Sequence, residues 1–88
     1  MADTTKLLEK MKGLEVELRR SGKSGPADFF KNTSQQILNE KSASKVLELV
    51  EQISSMYRIS QYGDFSYKED ELLVQVIDEA IAILDLIQ

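Results

Sequence analysis

The sequence predicts an all-α fold, a small antiparallel bundle of about four helices within a single domain spanning residues 1–88. Three observations lead to this prediction. Apolar residues recur every three or four positions along most of the chain, which is the spacing of one face of an α-helix. No alternating apolar and polar run of useful length appears, so strands are not expected. The breaks between the periodic segments are short, and short connections favour antiparallel neighbours.

The first helix is predicted over about 4–20. Asp3 or Thr4 is placed to cap its start, while Arg19 and Arg20 suit the negative end of the helix dipole. The apolar stripe that identifies this helix has spacings of four, three and four residues and consists of Leu7, Met11, Leu14 and Leu18.

The clearest break in the chain follows this helix. Residues 21–26 hold two of the four glycines and the only proline, which predicts a flexible loop over 21–26. Pro26 then suits the start of a second helix over about 27–39. This helix has a weaker apolar side, formed by Phe29, Phe30, Ile37 and Leu38.

The second half of the chain predicts two further helices, over about 43–60 and 67–87. Ser42 or Ser44 is placed to cap the first of them. Ser66 and Glu69 fit a capping box at the start of the second, in which each side chain accepts a hydrogen bond from the backbone amide of the other residue. The stripe of the third helix consists of Val46, Val50, Ile53 and Tyr57.

The last helix is more apolar than one bundle helix needs. Twelve of the sixteen residues from Leu72 to Ile87 are apolar, and they span an arc of about 200° against the roughly 100° stripe of a surface helix. Three explanations stay open: a central helix contacted by all three others, pairing with another copy of the chain, or docking of a different protein. The second assigns self-association to Val74, Ile77 and Ile81.

The composition argues against most enzymatic and cofactor chemistry. The chain has no Cys, His or Trp. It therefore lacks disulfides, thiolate nucleophiles, the usual general base near neutral pH and the commonest metal ligands. No carboxylate, Lys, Tyr or Ser has a catalytic spacing. We expect no enzyme activity, no catalytic residue, no cofactor and no metal site.

The net charge of −4 is unevenly distributed. Residues 1–31 carry +2, 32–62 carry zero and 63–88 carry −6. The two ends either lie beside each other in the fold or leave an acidic outer face for a basic partner. Nucleic-acid binding is not expected at this charge. Without a signal sequence or an uncharged run of 18 residues, we expect a cytoplasmic protein with no membrane span.

Three short motifs have simpler structural explanations. Gly22-Lys23-Ser24 resembles the end of a phosphate-binding loop, but Glu17 stands where that motif needs glycine. Asn32-Thr33-Ser34 matches the acceptor pattern for N-glycosylation, and without a secretory signal we interpret this match as a chance occurrence. Glu69-Asp70-Glu71 suits the dipole of a helix start better than a cation, because consecutive helical residues point in different directions.

Aromatic residues cluster around the turn before the last helix. Four of the six aromatics lie within the eleven residues 57–67. Such a cluster either closes one end of the bundle or binds a partner, since Tyr and Arg are enriched at binding hot spots. The predicted partner-binding residues are Tyr57, Arg58, Tyr62, Phe65 and Tyr67.

The function that these patterns favour is non-enzymatic protein–protein interaction, with self-association through the last helix and a dimer as the simplest assembly. One alternative is neutralisation of a cognate partner, because the size, acidity and four helices are similar to those of the helical bacteriocin immunity proteins. Another alternative is a small-ligand or enzyme domain, which would need a polar pocket with shifted carboxylate pKa values.

Overall fold

The structure is a computed structural model that describes residues 3–55 and 65–87. It confirms the all-α prediction, because the described residues form four helices and no strand. The helices are α1 (Thr5–Arg20), α2 (Ser24–Asn39), α3 (Ala43–Ser54) and α4 (Tyr67–Ile87).

The helices pack as an open bundle in which α1 and α4 form the central pair. Helix α1 lies against α2 on one side and α4 on the other, and α3 packs against α4. Helices α2 and α3 barely touch. The start of α1, the end of α2, the start of α3 and the end of α4 line one groove. Consecutive helices therefore run in opposite directions.

The core contains the predicted apolar stripe of α1 and only half of the predicted apolar side of α2. Phe30 and Ile37 are buried, whereas Phe29 and Leu38 are 38% and 72% exposed, because each is turned about 100° from its buried neighbour and α2 packs mainly against α1. All four stripe residues of α1 are fully buried, and α4 contributes five residues to the same cluster. Burial of large apolar side chains is the main stabilising contribution in a domain this small. The core consists of Leu7, Met11, Leu14, Leu18, Ala27, Phe30, Ile37, Val50, Ile53, Leu73, Val76, Ile77, Ala80 and Ile83.

The turn between α1 and α2 is shorter than the predicted loop over 21–26. Gly22 has a φ of 79° and ends α1, and its amide donates to the Arg19 carbonyl at 3.1 Å. The Lys23 amide donates to the Leu18 carbonyl at 2.8 Å. These two bonds form a Schellman motif, which leaves three residues between the helices.

Helix α2 begins at Ser24, three residues before the predicted start at 27. Pro26 is its third residue rather than a residue of the loop. Proline is tolerated in the first helical turn because the amides of that turn have no intrahelical acceptor. The Ala27 amide makes the first bond of the helix, to the Lys23 carbonyl at 3.2 Å.

The start of α3 differs from the predicted serine cap. Ser42 occupies the N-cap position, but its side chain makes no capping hydrogen bond. The Glu40 carboxylate instead accepts from the Lys41 and Ser42 amides, each at 3.1 Å. The described part of α3 ends at Ser54, and residues 56–60 of the predicted helix lie outside the described residues.

Leu14→Ala tests the contribution of the α1 stripe to stability. Leu14 is fully buried, and truncating a buried leucine costs about 2–5 kcal/mol, a large part of the free energy of unfolding of a small domain. We expect a much lower urea midpoint.

The matched control is Leu38→Ala, which removes the same atoms from a side chain that is 72% exposed. Urea unfolding followed by circular dichroism measures both variants. Equal midpoints would contradict the assigned core.

Candidate functional site

The start of α4 is joined to the α1–α2 turn by a buried ion pair. The Ser66 amide donates to Glu69 Oε1 at 2.8 Å, and the Glu69 amide donates to Ser66 Oγ at 3.2 Å, so the predicted capping box is present. Lys23 Nζ lies 2.5 Å from the same Oε1. One carboxylate oxygen thus binds both its own helix start and a turn 46 residues away in sequence.

This ion pair is shielded from water. The Glu69 side chain is fully buried, and that of Lys23 is 24% exposed. The Phe65 ring lies 5.9 Å from Lys23 Nζ, within reach of a cation–π interaction. Glu69 Oε2 is buried and makes no hydrogen bond among the described residues.

The environment of Glu69 favours its charged form. Burial alone raises the pKa of Glu69, but hydrogen bonds from Lys23 and the Ser66 amide, with the charge of Lys23, lower that pKa from 4.5 to about 2. A carboxylate held this strongly acts as a structural anion rather than as a proton donor near neutral pH.

The structure describes two of the five residues predicted to bind a partner around the aromatic turn. Phe65 is half-buried and packs against the core and over Lys23. Tyr67 is 89% exposed at the first position of α4. Tyr57, Arg58 and Tyr62 lie outside the described residues. Phe65 therefore has a structural role in covering the ion pair, while Tyr67 is available at the surface.

The residues predicted for self-association do not all lie on one surface. Val74 and Ile81 are 39% and 43% exposed. Ile77 is 6% exposed and belongs to the core. Residues three apart share a side of a helix, so the spacing within α4 does not separate Ile77 from Val74. Ile77 is buried because the neighbouring helices of the bundle cover that part of α4. The self-association surface is corrected to exclude Ile77.

Helix α4 is not covered by all three other helices, because it packs against α1 and α3 and makes no extensive contact with α2 among the described residues. Its outer side carries two columns with a seven-residue repeat, which keeps each column on one side of the helix. We call the two columns together the α4 outer face. The apolar column is Tyr67, Val74 and Ile81, and the acidic column is Glu71, Asp78 and Asp85.

Helix α1 has the opposite charge on its exposed side. Lys6, Lys10, Lys12 and Arg20 are exposed there, against one exposed acid, Glu9. Val16, 44% exposed, lies among them. These residues form the α1 outer face, defined as Lys6, Glu9, Lys10, Lys12, Gly13, Val16 and Arg20.

Ion pairs within the chain link α1 to both of its neighbours. Arg19 Nε lies 3.0 Å from Glu15, and Arg19 Nη2 lies 2.9 Å from Asp28 on α2. Lys68 Nζ on α4 lies 3.7 Å from Glu17. Among the described residues, none of the acidic column of α4 belongs to such a pair, so that negative charge faces solvent.

A polar cleft of about 680 Å³ separates α2 and α3. Carboxamide side chains dominate its lining, and a polar lining explains why the two helices do not close on each other. The carboxamides are Asn32, Gln35, Gln36, Asn39 and Gln52.

The remaining sequence motifs have structural explanations. Gly22 and Lys23 belong to the turn that ends α1, and Ser24 begins α2, so the arrangement is not a strand followed by a phosphate-binding loop. Thr33 of the acceptor-like pattern is buried inside α2. Within 3–55 and 65–87, no three potential ligand side chains converge on a metal position, and no helix is long and apolar enough to cross a membrane.

Comparisons of this chain with protein-family models, with curated proteins and with solved structures found no match.

The Lys23–Glu69 pair was not predicted from the sequence, although both residues stood in recognised motifs. Lys23 follows a glycine that ends a helix, and Glu69 closes a capping box. No local pattern connects positions 46 residues apart. The one available signal was the opposite charge of the two ends of the chain.

Glu69→Gln tests the energetic role of the ion pair through its dependence on pH. The difference between a pKa of 4.5 and one of about 2 corresponds to about 3 kcal/mol of stability. Because the folded-state pKa is depressed, this stability is present above pH 4.5 and is lost as pH falls toward 2. We expect the variant to be less stable at pH 7 and to lose this part of the acid dependence.

Asp70→Asn is the matched control, since Asp70 is an exposed neighbour in the same helical turn. Thermal unfolding between pH 2 and 7 measures both variants. If the slope of stability against pH is the same in Glu69→Gln as in the wild type, the ion pair does not contribute as described.

Proposed function

We propose that the protein is a non-enzymatic interaction protein that self-associates through the α4 outer face, with the α1 outer face of a second copy as the occupant. The observation that supports this proposal is the exposed apolar column of α4 beside an acidic column that forms no ion pair with the described residues. Large exposed apolar residues in a periodic arrangement are typical of helix–helix contacts.

The apolar part of the contact is supplied by residues that the monomer leaves uncovered. Val74 and Ile81 are seven residues apart on one side of α4 and are 39% and 43% exposed. Val16 is 44% exposed on α1. Gly13, one turn before Val16, has open space around the position of a Cβ atom. A residue without a side chain permits close approach of a partner helix.

Charge selects α1 rather than α4 of the second copy. Two α4 outer faces laid together would oppose their acidic columns, and like charges in contact are destabilising. The α1 outer face instead places Lys6 and Lys10 near the end of the bundle where α4 carries Asp85, because Thr4 and Leu86 line the same groove there. Opposite charges at matching levels favour the α1–α4 pairing across copies.

Symmetry makes this contact self-limiting. Since α1 and α4 are neighbours within one chain, a two-fold axis lets α1 of each copy lie on α4 of the other. Both contacts then form together as one isologous interface, which closes as a dimer. The contact area per copy is modest, so we expect a weak dimer whose stability falls as salt screens the charges.

Sedimentation equilibrium over a wide concentration range tests the dimer. We expect reversible dimerisation at low salt and weaker dimerisation at about 1 M salt, where the Debye length is about 3 Å. The double variant Val74→Ser, Ile81→Ser should remain monomeric. Leu38→Ser, which removes an exposed leucine of α2, is the control and should dimerise like the wild type. A wild type that is monomeric at every concentration overturns the proposal.

A charge exchange tests which helix of the second copy is the occupant. Replacing Lys6 and Lys10 by Glu, or Asp78 and Asp85 by Lys, should weaken the dimer at least tenfold. Combining all four replacements should restore the dimer, because opposite charges then meet again with their signs exchanged between the two helices. If the combination does not recover affinity, the α1 outer face is not the occupant.

A further inference from the structure

A second concave surface lies at the end of the bundle, away from the ion pair. The start of α1, the end of α2, the start of α3 and the end of α4 enclose a groove of about 650 Å³. We call it the end groove. Its volume falls within the usual range of ligand pockets, roughly 300–1,000 Å³.

The end groove is mainly apolar. Its floor contains Ile37 and Ile83, which are 4% and 5% exposed. Leu38 and Leu86 form parts of its walls and are 72% and 81% exposed. Single exposed leucines are common on protein surfaces, but these two flank one concavity together with the half-buried Leu47.

Negative charge is fixed at the rim of the groove. Asp3 Oδ1 accepts a hydrogen bond from the Thr5 amide at 2.9 Å. Glu40 Oε1 accepts from the Lys41 and Ser42 amides at 3.1 Å each. Among the described residues, these two carboxylates are the only ionisable side chains that line the groove. Local backbone donors thus hold both carboxylates in place before any partner arrives.

We propose that the end groove docks an amphipathic helix of a protein partner, with apolar residues spaced three and four apart and Lys or Arg beside them. The apolar residues fill the space between Leu38, Leu47 and Leu86, as in other helix-in-groove complexes. The basic residues reach Asp3 and Glu40. A free fatty acid fits less well, because its carboxylate would meet two fixed negative charges. This proposal does not depend on the dimer, whose contacts lie on the outer faces of α1 and α4.

The test uses two designed helical peptides with the same leucine spacing, one with Lys and one with Glu at the flanking positions. Each is titrated into the ¹⁵N-labelled 88-residue chain and followed by NMR. The Lys peptide should shift the amides of Leu38, Leu47 and Leu86 and saturate. The Glu peptide should bind at least tenfold more weakly.

Two pairs of variants locate the binding. Leu38→Ser with Leu86→Ser should weaken binding of the Lys peptide at least tenfold. Both side chains are exposed, so the fold should tolerate the two replacements. Asp3→Asn with Glu40→Gln should reduce the preference for Lys over Glu. The control, Val74→Ser with Ile81→Ser, should bind like the wild type, which separates this site from the dimer contact.

Several results overturn the proposal. They are equal binding of the two peptides, shifts centred on Val74 and Ile81, and failure of the Lys peptide to saturate. Tighter binding of decanoate at the same amides would identify a lipid site instead. Concentration-dependent shifts of Leu38 and Leu86 without peptide would identify a second copy as the occupant.

Discussion

The buried pair between Lys23 and Glu69 is the constraint that organises this fold. The Glu69 carboxylate caps its own helix and binds a lysine from the opposite half of the chain. Two charges are removed from water at a cost that only good geometry and additional hydrogen bonds offset. The pair therefore specifies one position of the α1–α2 turn against the start of α4. The large apolar side chains of α1 and α4 then meet in register.

The half-buried Phe65 completes this arrangement from the loop side. Its ring covers Lys23 and also packs against the core. The corner thus combines three interactions of different kinds: a capping box, an ion pair and an aromatic contact. Hydrophobic burial gives the bundle most of its stability, but it is non-directional. The polar corner supplies directional contacts that a small apolar core lacks.

The local parts of the structure were predictable because their causes are local. The α1 stripe, the basic end of α1 and the capping box of Ser66 and Glu69 all arise from residues within a few positions of one another. The loop predicted over 21–26 is longer than the observed turn between α1 and α2, because proline is tolerated throughout a first helical turn. The burial of Ile77 depends on how the neighbouring helices pack against α4, and no periodicity within α4 contains that information. The end groove likewise depends on four helix ends meeting in space.

The separation of charge also has a clearer origin in the structure. The basic and acidic ends of the chain do lie side by side, since α1 packs against α4. Only part of their charge is used there, through Lys23 with Glu69 and Lys68 with Glu17. Much of the rest points outward, with the basic groups on the α1 outer face and the acidic groups on the α4 outer face. In the proposed dimer, this outward charge, rather than the net charge of the chain, selects the occupant of the α4 outer face.

The weak contact between α2 and α3 has a consequence for how the chain folds. Each half of the protein is a helical hairpin whose contacts are close in sequence, and such contacts form rapidly. The halves meet along α1 and α4, where contacting residues are far apart in sequence and loop closure is entropically costly. We therefore expect the contacts within each hairpin to form before the contacts between α1 and α4. The connection over 40–42 acts as a tether whose length has little influence on the final stability.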